Sequence, residues 1–404
     1  MLILDELPFR HVEGEGFMRF MRVVCPRWVE IPSRRAVARD CFSLYVKEKA
    51  QLKSALEGQR VCLTTDTWTS LQNLNYMCLT AHFVDSDWKL HKRILNFCLV
   101  ENHKGETLGK AVEMCMLGWG ISKVLTVTVD NASSNNLLID FLRRKTKNRV
   151  GTILQHEFLH VRCCAHILNL IVCEDLKEMD DSICKVRNAV RYVRSSPSRM
   201  KIFQQCVEKE GIKCKSVVCL DVATRWNSTY MMLDGAEKFQ KAFERLEEDD
   251  MNFLSTFRKG GSDKGGKDRW KHLGPPDMDD WDRVRVFVKF LKLFYNATLR
   301  FSGSLHVTAN VFFLELILLQ NAISQMCEKG DNSILSNMAA GMKRKFEKYW
   351  GNFDNSNMLL YVAVVLDPRY KLKFVKFWVG TCYEANKGKE LLKKIKDALT
   401  RLHD

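Results

Sequence analysis

The sequence predicts an α/β protein in which a mixed sheet comes first and a large all-helical part follows. Three observations carry this. Residues 61–100 contain three successive runs rich in Leu, Val, Thr, Phe and Cys, separated only by short breaks. A helix-period segment and a β-branched run follow at 105–129. Beyond residue 165 the apolar spacing is helical almost throughout.

Residues 1–58 carry mixed charge and short helical patterns broken by Pro26 and Pro32, and read as a helical lead-in segment. The runs 61–66, 75–84 and 88–100 read as strands, with Asp85-Ser86-Asp87 as the turn between the second and third, so an antiparallel meander is expected. Residues 105–117 place Leu108, Ala111, Val112, Cys115 and Met116 at helical spacing, and 123–129 is a β-branched strand ending on Asp130. In this order the first and fourth strands can lie side by side and parallel at the centre of a sheet, each closing on an aspartate, Asp66 and Asp130. Helix is expected at 133–144, a short strand at 160–163, and an apolar helix at 165–176. Further helices are expected over 182–207, 230–246, 281–301, 308–327, 334–350 and 387–402. The Gly-, Pro- and charge-rich stretch 258–280 reads as a flexible loop among them. The domain division that follows is a lead-in at 1–58, a sheet-containing core at 59–230 and a helical domain at 231–404.

Composition excludes several function classes. In 404 residues, 46% hydrophobic and 10% aromatic content describes a chain able to bury a core, so disorder throughout is excluded. No apolar run approaches the roughly 20 residues of a membrane-spanning helix; 358–366 is short and 311–323 contains Glu315. No membrane partner and no small-molecule substrate are expected. Fifteen cysteines, odd in number and scattered behind an N-terminus with no basic region, imply free thiols in a reducing compartment. The 63 Lys and Arg against 48 Asp and Glu leave a net charge of +15, which suits a polyanion and equally describes a solvated surface. Its local form is 182–207, which has no acid and sets Arg187, Arg191 and Arg194 on one helical face.

Four short segments hold residues able to do chemistry. Asp66 and Asp130 offer carboxylate oxygens, the donors hard divalent cations take, and would serve a metal ion in phosphoryl transfer; each alone also fits a turn or helix cap. Cys163 and His166 have the spacing of half a zinc site, but no zinc-finger cluster of Cys and His supplies the other half, which favours packing or hydrogen bonding around the site over zinc. Trp226, between Arg225 and Asn227, is either a core residue or a stacking surface for an extruded base with phosphate on Arg225.

Taken in order, Thr65-Asp66-Thr67-Trp68-Thr69-Ser70, Val129-Asp130-Asn131-Ala132, the segment 163–170, Thr224-Arg225-Trp226-Asn227-Ser228-Thr229 and Leu366-Asp367-Pro368-Arg369-Tyr370 closely resemble the motif series of hAT-family DNA transposases, in particular the plant domesticated RICESLEEPER and DAYSLEEPER type. The resemblance covers roughly 61–370. It implies an RNase H-like fold whose mixed sheet is interrupted by a large all-helical insertion. It further implies that Asp66 and Asp130 match the first two metal-binding acids of an Asp, Asp, Glu triad, that Cys163 and His166 match the Cys and His pair near that site, and that Trp226 matches the tryptophan that stacks near a flipped base. In the family the glutamate follows the insertion, near a C-terminal dimerisation region; neither it nor the preceding BED zinc finger is recognised in this chain. Glu101, Asp221 and Asp367 are the acids that would have to substitute. The resemblance therefore implies a nuclear, DNA-binding, transposase-derived protein with an incomplete Mg²⁺ site, catalytically inactive, with its dimerisation left open. The alternatives are a metal-dependent nuclease completed by another chain and a protein-interaction scaffold.

Overall fold

The computed structural model describes residues 1–27, 31–147, 152–173, 181–214, 216–222, 225–258, 273–303, 306–328 and 334–403. The chain divides into two compact units, one of 1–127 with 136–159 and one of 128–135 with 160–404. A five-stranded mixed sheet has the order β3-β2-β1-β4-β5, built from β1 (Val61–Thr69), β2 (Asn75–Val84), β3 (Leu90–Leu99), β4 (Val124–Val129) and β5 (His160–Arg162). The expected meander is present, β1 and β2 pairing antiparallel and β2 and β3 likewise.

In the first unit α1 (Glu15–Val24) and α2 (Arg34–Leu56) precede the sheet. The expectation of short helices there is corrected by α2, one helix of 23 residues started by Ser33, whose hydroxyl accepts the Ala36 amide after the break at Pro32. Alternation builds the sheet's buried face from Val61 and Leu63 of β1 and Met77, Leu79, Ala81 and Phe83 of β2. A bulge between Leu79 and Thr80 leaves Leu95 of β3 unpaired, and this residue is also buried. Leu108, Val112, Met116 and Trp119 of α3 (Gly105–Trp119) are buried too, and Trp119 Nε1 donates to the Leu95 carbonyl at 3.1 Å. Helix α4 (Ser133–Thr146) presses Phe141 against Gly109 so closely that a Cβ there would stand 2.7 Å from Phe141 Cδ1. One sequence boundary moves: Asp66 does not close β1, because Thr67, Trp68 and Thr69 go on pairing with Met77, Tyr76 and Asn75.

Among the described residues the regular structure of the second unit is helical apart from β5 and the last two residues of β4. Its first helices are α5 (Cys164–Cys173), α6 (Asp181–Arg194), α7 (Pro197–Lys209), α8 (Trp226–Glu237), α9 (Gln240–Asp249) and α10 (Met251–Arg258). After residues 259–272, which lie outside the described residues together with much of the expected loop 258–280, come α11 (Met278–Phe301), α12 (Phe312–Glu328) and α13 (Ile334–Phe346). The last three are α14 (Leu359–Leu366), α15 (Lys371–Cys382) and α16 (Ala385–His403). Helix α11 is the axis of the bundle and packs on α5, α6, α8 and α12. It buries Trp281, Phe287, Leu291 and Phe294, and a capping box of Asp277 and Asp280 starts it. The helix expected over 230–246 is two helices, because Phe239 leaves the helical path at φ −111°, ψ 16° and buries its ring beside Phe203, 5.9 Å between centres.

The segment Ala309–Glu328 is long and apolar enough to cross a membrane by length and composition, correcting the expectation that none approaches that length. Its Phe312, Phe313, Leu316, Ile317 and Ile323 lie in the core, and Glu315 is buried in an ion pair with Arg300, so it is built as a core helix. All 15 cysteines are free thiols.

Candidate nucleic-acid and metal site

Asp66 lies on the first unit's part of the sheet, on the face opposite the buried one. It is exposed, stands across from Cys78, and accepts the Thr67 amide at 2.9 Å. Two residues along the same face, Trp68 stacks on Tyr76 at 5.7 Å between ring centres, and Phe97 closes on both at 5.4 Å.

Asp130 lies in the second unit, directly after β4. Its Oδ1 accepts the Ala132 amide at 2.8 Å and the Asn135 amide side chain, a bonding pattern that fixes the turn into α4. Next to it both side-chain polar atoms of Asn131 are buried with no hydrogen-bond partner among the described residues. A buried amide left this way marks a place for a bound water or a hydrated ion. The Cys163 amide donates to the Val129 carbonyl at 2.8 Å, so the start of α5 sits against the end of β4 and the structure brings Cys163 beside Asp130. The Cys163 carbonyl accepts the Ile167 amide as the first bond of α5, and His166 falls in that first turn. Burial, and then the neighbouring Cys163, push the Cys164 thiol far up, so with no metal bound it stays protonated at neutral pH. Among the described residues no three His, Cys, Asp or Glu side chains stand together as a metal cluster. The donors at Asp66 and Asp130 still suit Mg²⁺ in kind, because that ion takes one or two protein carboxylates and completes its shell with water and phosphate.

The proposed basic stripe is corrected at its first residue. Arg187 is 7% exposed, and its Nε and Nη2 grip Asp221 at 2.7 to 3.0 Å. Thr229 of α8 donates to the same carboxylate at 3.0 Å. Burial raises the Asp221 carboxyl, but the Arg187 hydrogen bonds and charge outweigh it, helped by Thr229 and Arg191, and hold it below the usual range. Arg191 and Arg194 of the same helix are exposed. Asp221 is thus committed to structure, and so is Asp367, whose carboxylate accepts from Arg369 and Asn310; neither is available as a third catalytic acid. Glu101 is exposed.

Trp226 is likewise corrected as a presented stacking surface. It opens α8 and is 3% exposed, with Tyr230 and Leu233 continuing its buried face. Arg225 before it is exposed; Thr224 lies outside the described residues. Sequence reasoning missed a second basic surface. Residues 371–403 hold nine Lys and Arg against three Asp and Glu, a net +6 of the chain's +15. Lys371, Lys373 and Lys376 of α15 and Lys387, Lys389 and Lys393 of α16 are all exposed. The signal was in the charge count, masked by the apolar residues interleaved at helical spacing.

Family profiles match three stretches of the chain. Residues 64–158 match the ZBED1 RNase-like domain, 161–270 the ZBED1 RNase-like helical domain, and 310–404 the hAT-like transposase, RNase-H fold. The chain belongs to the hAT transposase family. Its α/β architecture is the RNase H-like fold with a helical insertion. It is 31% identical over 408 residues to zinc finger BED domain-containing protein RICESLEEPER 2 of Oryza sativa subsp. japonica, covering 100% of this chain and 53% of that protein. It is 33% identical over 383 residues to a putative AC transposase of Zea mays, covering 94% of this chain and 45% of that one. To DAYSLEEPER of Arabidopsis thaliana it is 30% identical over 407 residues, covering 100% and 55%. The chain spans about half the length of the curated relatives it matches. The match to the ZBED1 RNase-like helical domain begins at 161, so it takes in α5 to α7, which the sequence-based division assigns to the core.

Proposed function

We propose that this hAT-family chain is a transposase-derived DNA-binding protein of the nucleus that does not itself cut DNA. The observation that carries the reading is the set of exposed lysines on α15 and α16, in a stretch of net +6 within 33 residues, joined in the same unit by exposed Arg191, Arg194 and Arg225. Lysines and arginines presented this way neutralise phosphates and release counterions. Asp66 and Asp130 each offer a carboxylate of the kind that takes Mg²⁺, an ion that when bound would supply an activated water and charge neutralisation at a phosphate. Catalysis is not proposed, because Asp221 and Asp367 are spent on ion pairs and no third acid joins either aspartate among the described residues.

Titration of a labelled duplex at two salt concentrations, with and without Mg²⁺, tests this when the same samples are run on a denaturing gel. Binding whose log affinity falls by about 0.9 per neutralised phosphate for each tenfold rise in salt, without cleavage, is expected. Cleavage that needs Mg²⁺ and is abolished by Asp66→Ala or Asp130→Ala would replace the reading with an active nuclease. Absence of binding at low salt would leave a protein-interaction scaffold.

A further inference from the structure

The β2–β3 turn of the first unit holds a tryptophan in a conformation that its own side chain opposes. Trp88 has φ 60°, in the left-handed region bulky L-residues rarely adopt, and it is 89% exposed. Asp85 imposes this geometry. One of its carboxylate oxygens accepts the amides of Asp87 and Lys89 at 3.0 and 2.9 Å, and the other meets His91 Nε2 at 2.6 Å. The Asp85 carbonyl accepts the Trp88 amide at 3.1 Å. His91 is fixed in turn by stacking on Phe83, 4.9 Å between ring centres. An indole that would normally be buried is therefore held out in water on a rigid mount.

Beside it lies an open cleft of about 530 Å³, lined by Arg60, His82, Phe83, Trp88 and Leu90 among others. That volume is within the range of small-ligand sites. Arg60 is exposed and makes no ion pair among the described residues, which leaves a guanidinium to meet an anion. His82 shares a hydrogen bond with Thr64 Oγ1 at 3.2 Å. Burial, with Lys92 near it, pushes its imidazole down, so it enters the cleft neutral, as a hydrogen-bonding group. A flat ring, a cation and a neutral polar group around one cleft match the three parts of a nucleotide: base face, phosphate and base edge. A paired base inside a duplex already has both faces stacked, so the exposed ring selects an unpaired one.

We propose that this cleft binds one nucleotide of a single-stranded DNA segment, its base stacked on Trp88 and its phosphate on Arg60. This deepens the DNA-binding reading, on which it rests, by giving the first unit a single-strand site in addition to the exposed lysines of the second.

The test measures the anisotropy of a fluorescein-labelled oligodeoxyadenylate and of a labelled duplex, in parallel, on the full chain and its variants. Trp88→Gly is the central variant, because glycine accepts the left-handed backbone and the turn keeps its fold. It should weaken oligonucleotide binding roughly 5- to 150-fold, the range for losing one stacked base. Duplex affinity should stay within about twofold, as for a surface change elsewhere. Trp88→Phe should restore most of the loss, and Arg60→Ala should lower the oligonucleotide salt slope by about 0.7. Unchanged oligonucleotide binding in Trp88→Gly overturns the proposal. Binding of duplex but not oligonucleotide by the unaltered chain overturns it alone, whereas binding of neither removes the DNA-binding reading as well.

Discussion

Replacing Arg187 by Met would strip the Asp221 carboxylate, whose side chain is 1% exposed, of its guanidinium partner. Three hydrogen bonds of 2.7 to 3.0 Å disappear, and among the described residues the Thr229 hydroxyl at 3.0 Å remains as hydrogen-bond donor, with the Arg191 charge nearby. Breaking a buried pair from one side costs about 3–5 kcal/mol, because the remaining charge is left uncompensated. With one neutral donor still in place, the lower end, about 3 kcal/mol, is expected. Since the chain has two units, a single melting temperature mixes two events. The cleaner assay is native-state hydrogen exchange at amides of α6 and α8, the helices the pair ties together. Adding Asp221→Leu to Arg187→Met should recover part of the stability, since an apolar replacement of the whole pair is close to neutral. Arg187→Met should leave DNA affinity and salt slope where they were, because the guanidinium is turned into the core. A destabilisation of less than about 1 kcal/mol together with a salt slope reduced by about 1 would refute this reasoning and return Arg187 to the DNA-binding surface. The pH dependence has a definite sign. With its carboxyl held below the unfolded value, Asp221 contributes stability above the ordinary carboxylate range, and that contribution is lost as pH falls through the folded value.

Four further outcomes are expected. Charge reversal at Arg191 and Arg194 should weaken duplex binding across sequences and lower the salt slope by about 1 for each phosphate no longer neutralised, as read in the same titration. Gly109→Leu should destabilise the first unit by about 1–3 kcal/mol in urea unfolding, because the new side chain meets the Phe141 ring where a Cβ alone would already be 2.7 Å away. Tyr192 is pushed up to about 12, by burial and then by Asp250, which accepts its hydroxyl at 2.7 Å. The raised value means the folded state keeps the proton, so stability should fall as pH rises from about 10 towards 12, and less steeply in Tyr192→Phe than in the unaltered chain, as followed by circular dichroism. Asp277→Ala removes the capping box of α11 and should cost about 0.5–2 kcal/mol, seen as faster exchange in its first turn.

Much of the fold was legible because its signals are local. Alternation in β1 and β2 and the spacing of Leu108, Val112 and Met116 in α3 depend only on neighbours within one element, and each element forms where its pattern lies. The motif aspartates were equally readable, although Asp66 lies within its strand rather than at its end, since where β1 stops is set by pairing with Tyr76 and Asn75 on another strand. Phe239 shows the same limit: helical spacing runs through it, but its burial beside Phe203 breaks the helix in two.

By itself the sequence determined the order of strands and helices, the family motifs and the excess of positive charge, all properties of residue type and spacing along the chain. Tertiary structure decided which charges face water. Arg187, Arg191 and Arg194 share a helical face by spacing, yet only Arg187 finds a carboxylate 34 positions further along the chain and is drawn inward with it. Helical periodicity gives no account of that, because burying a charge is favourable only where a partner arrives from elsewhere in the fold. The same rule left the lysines of α15 and α16 in solvent, where most of them find no ion-pair partner among the described residues, and Trp226 in the core, where an apolar face needed filling.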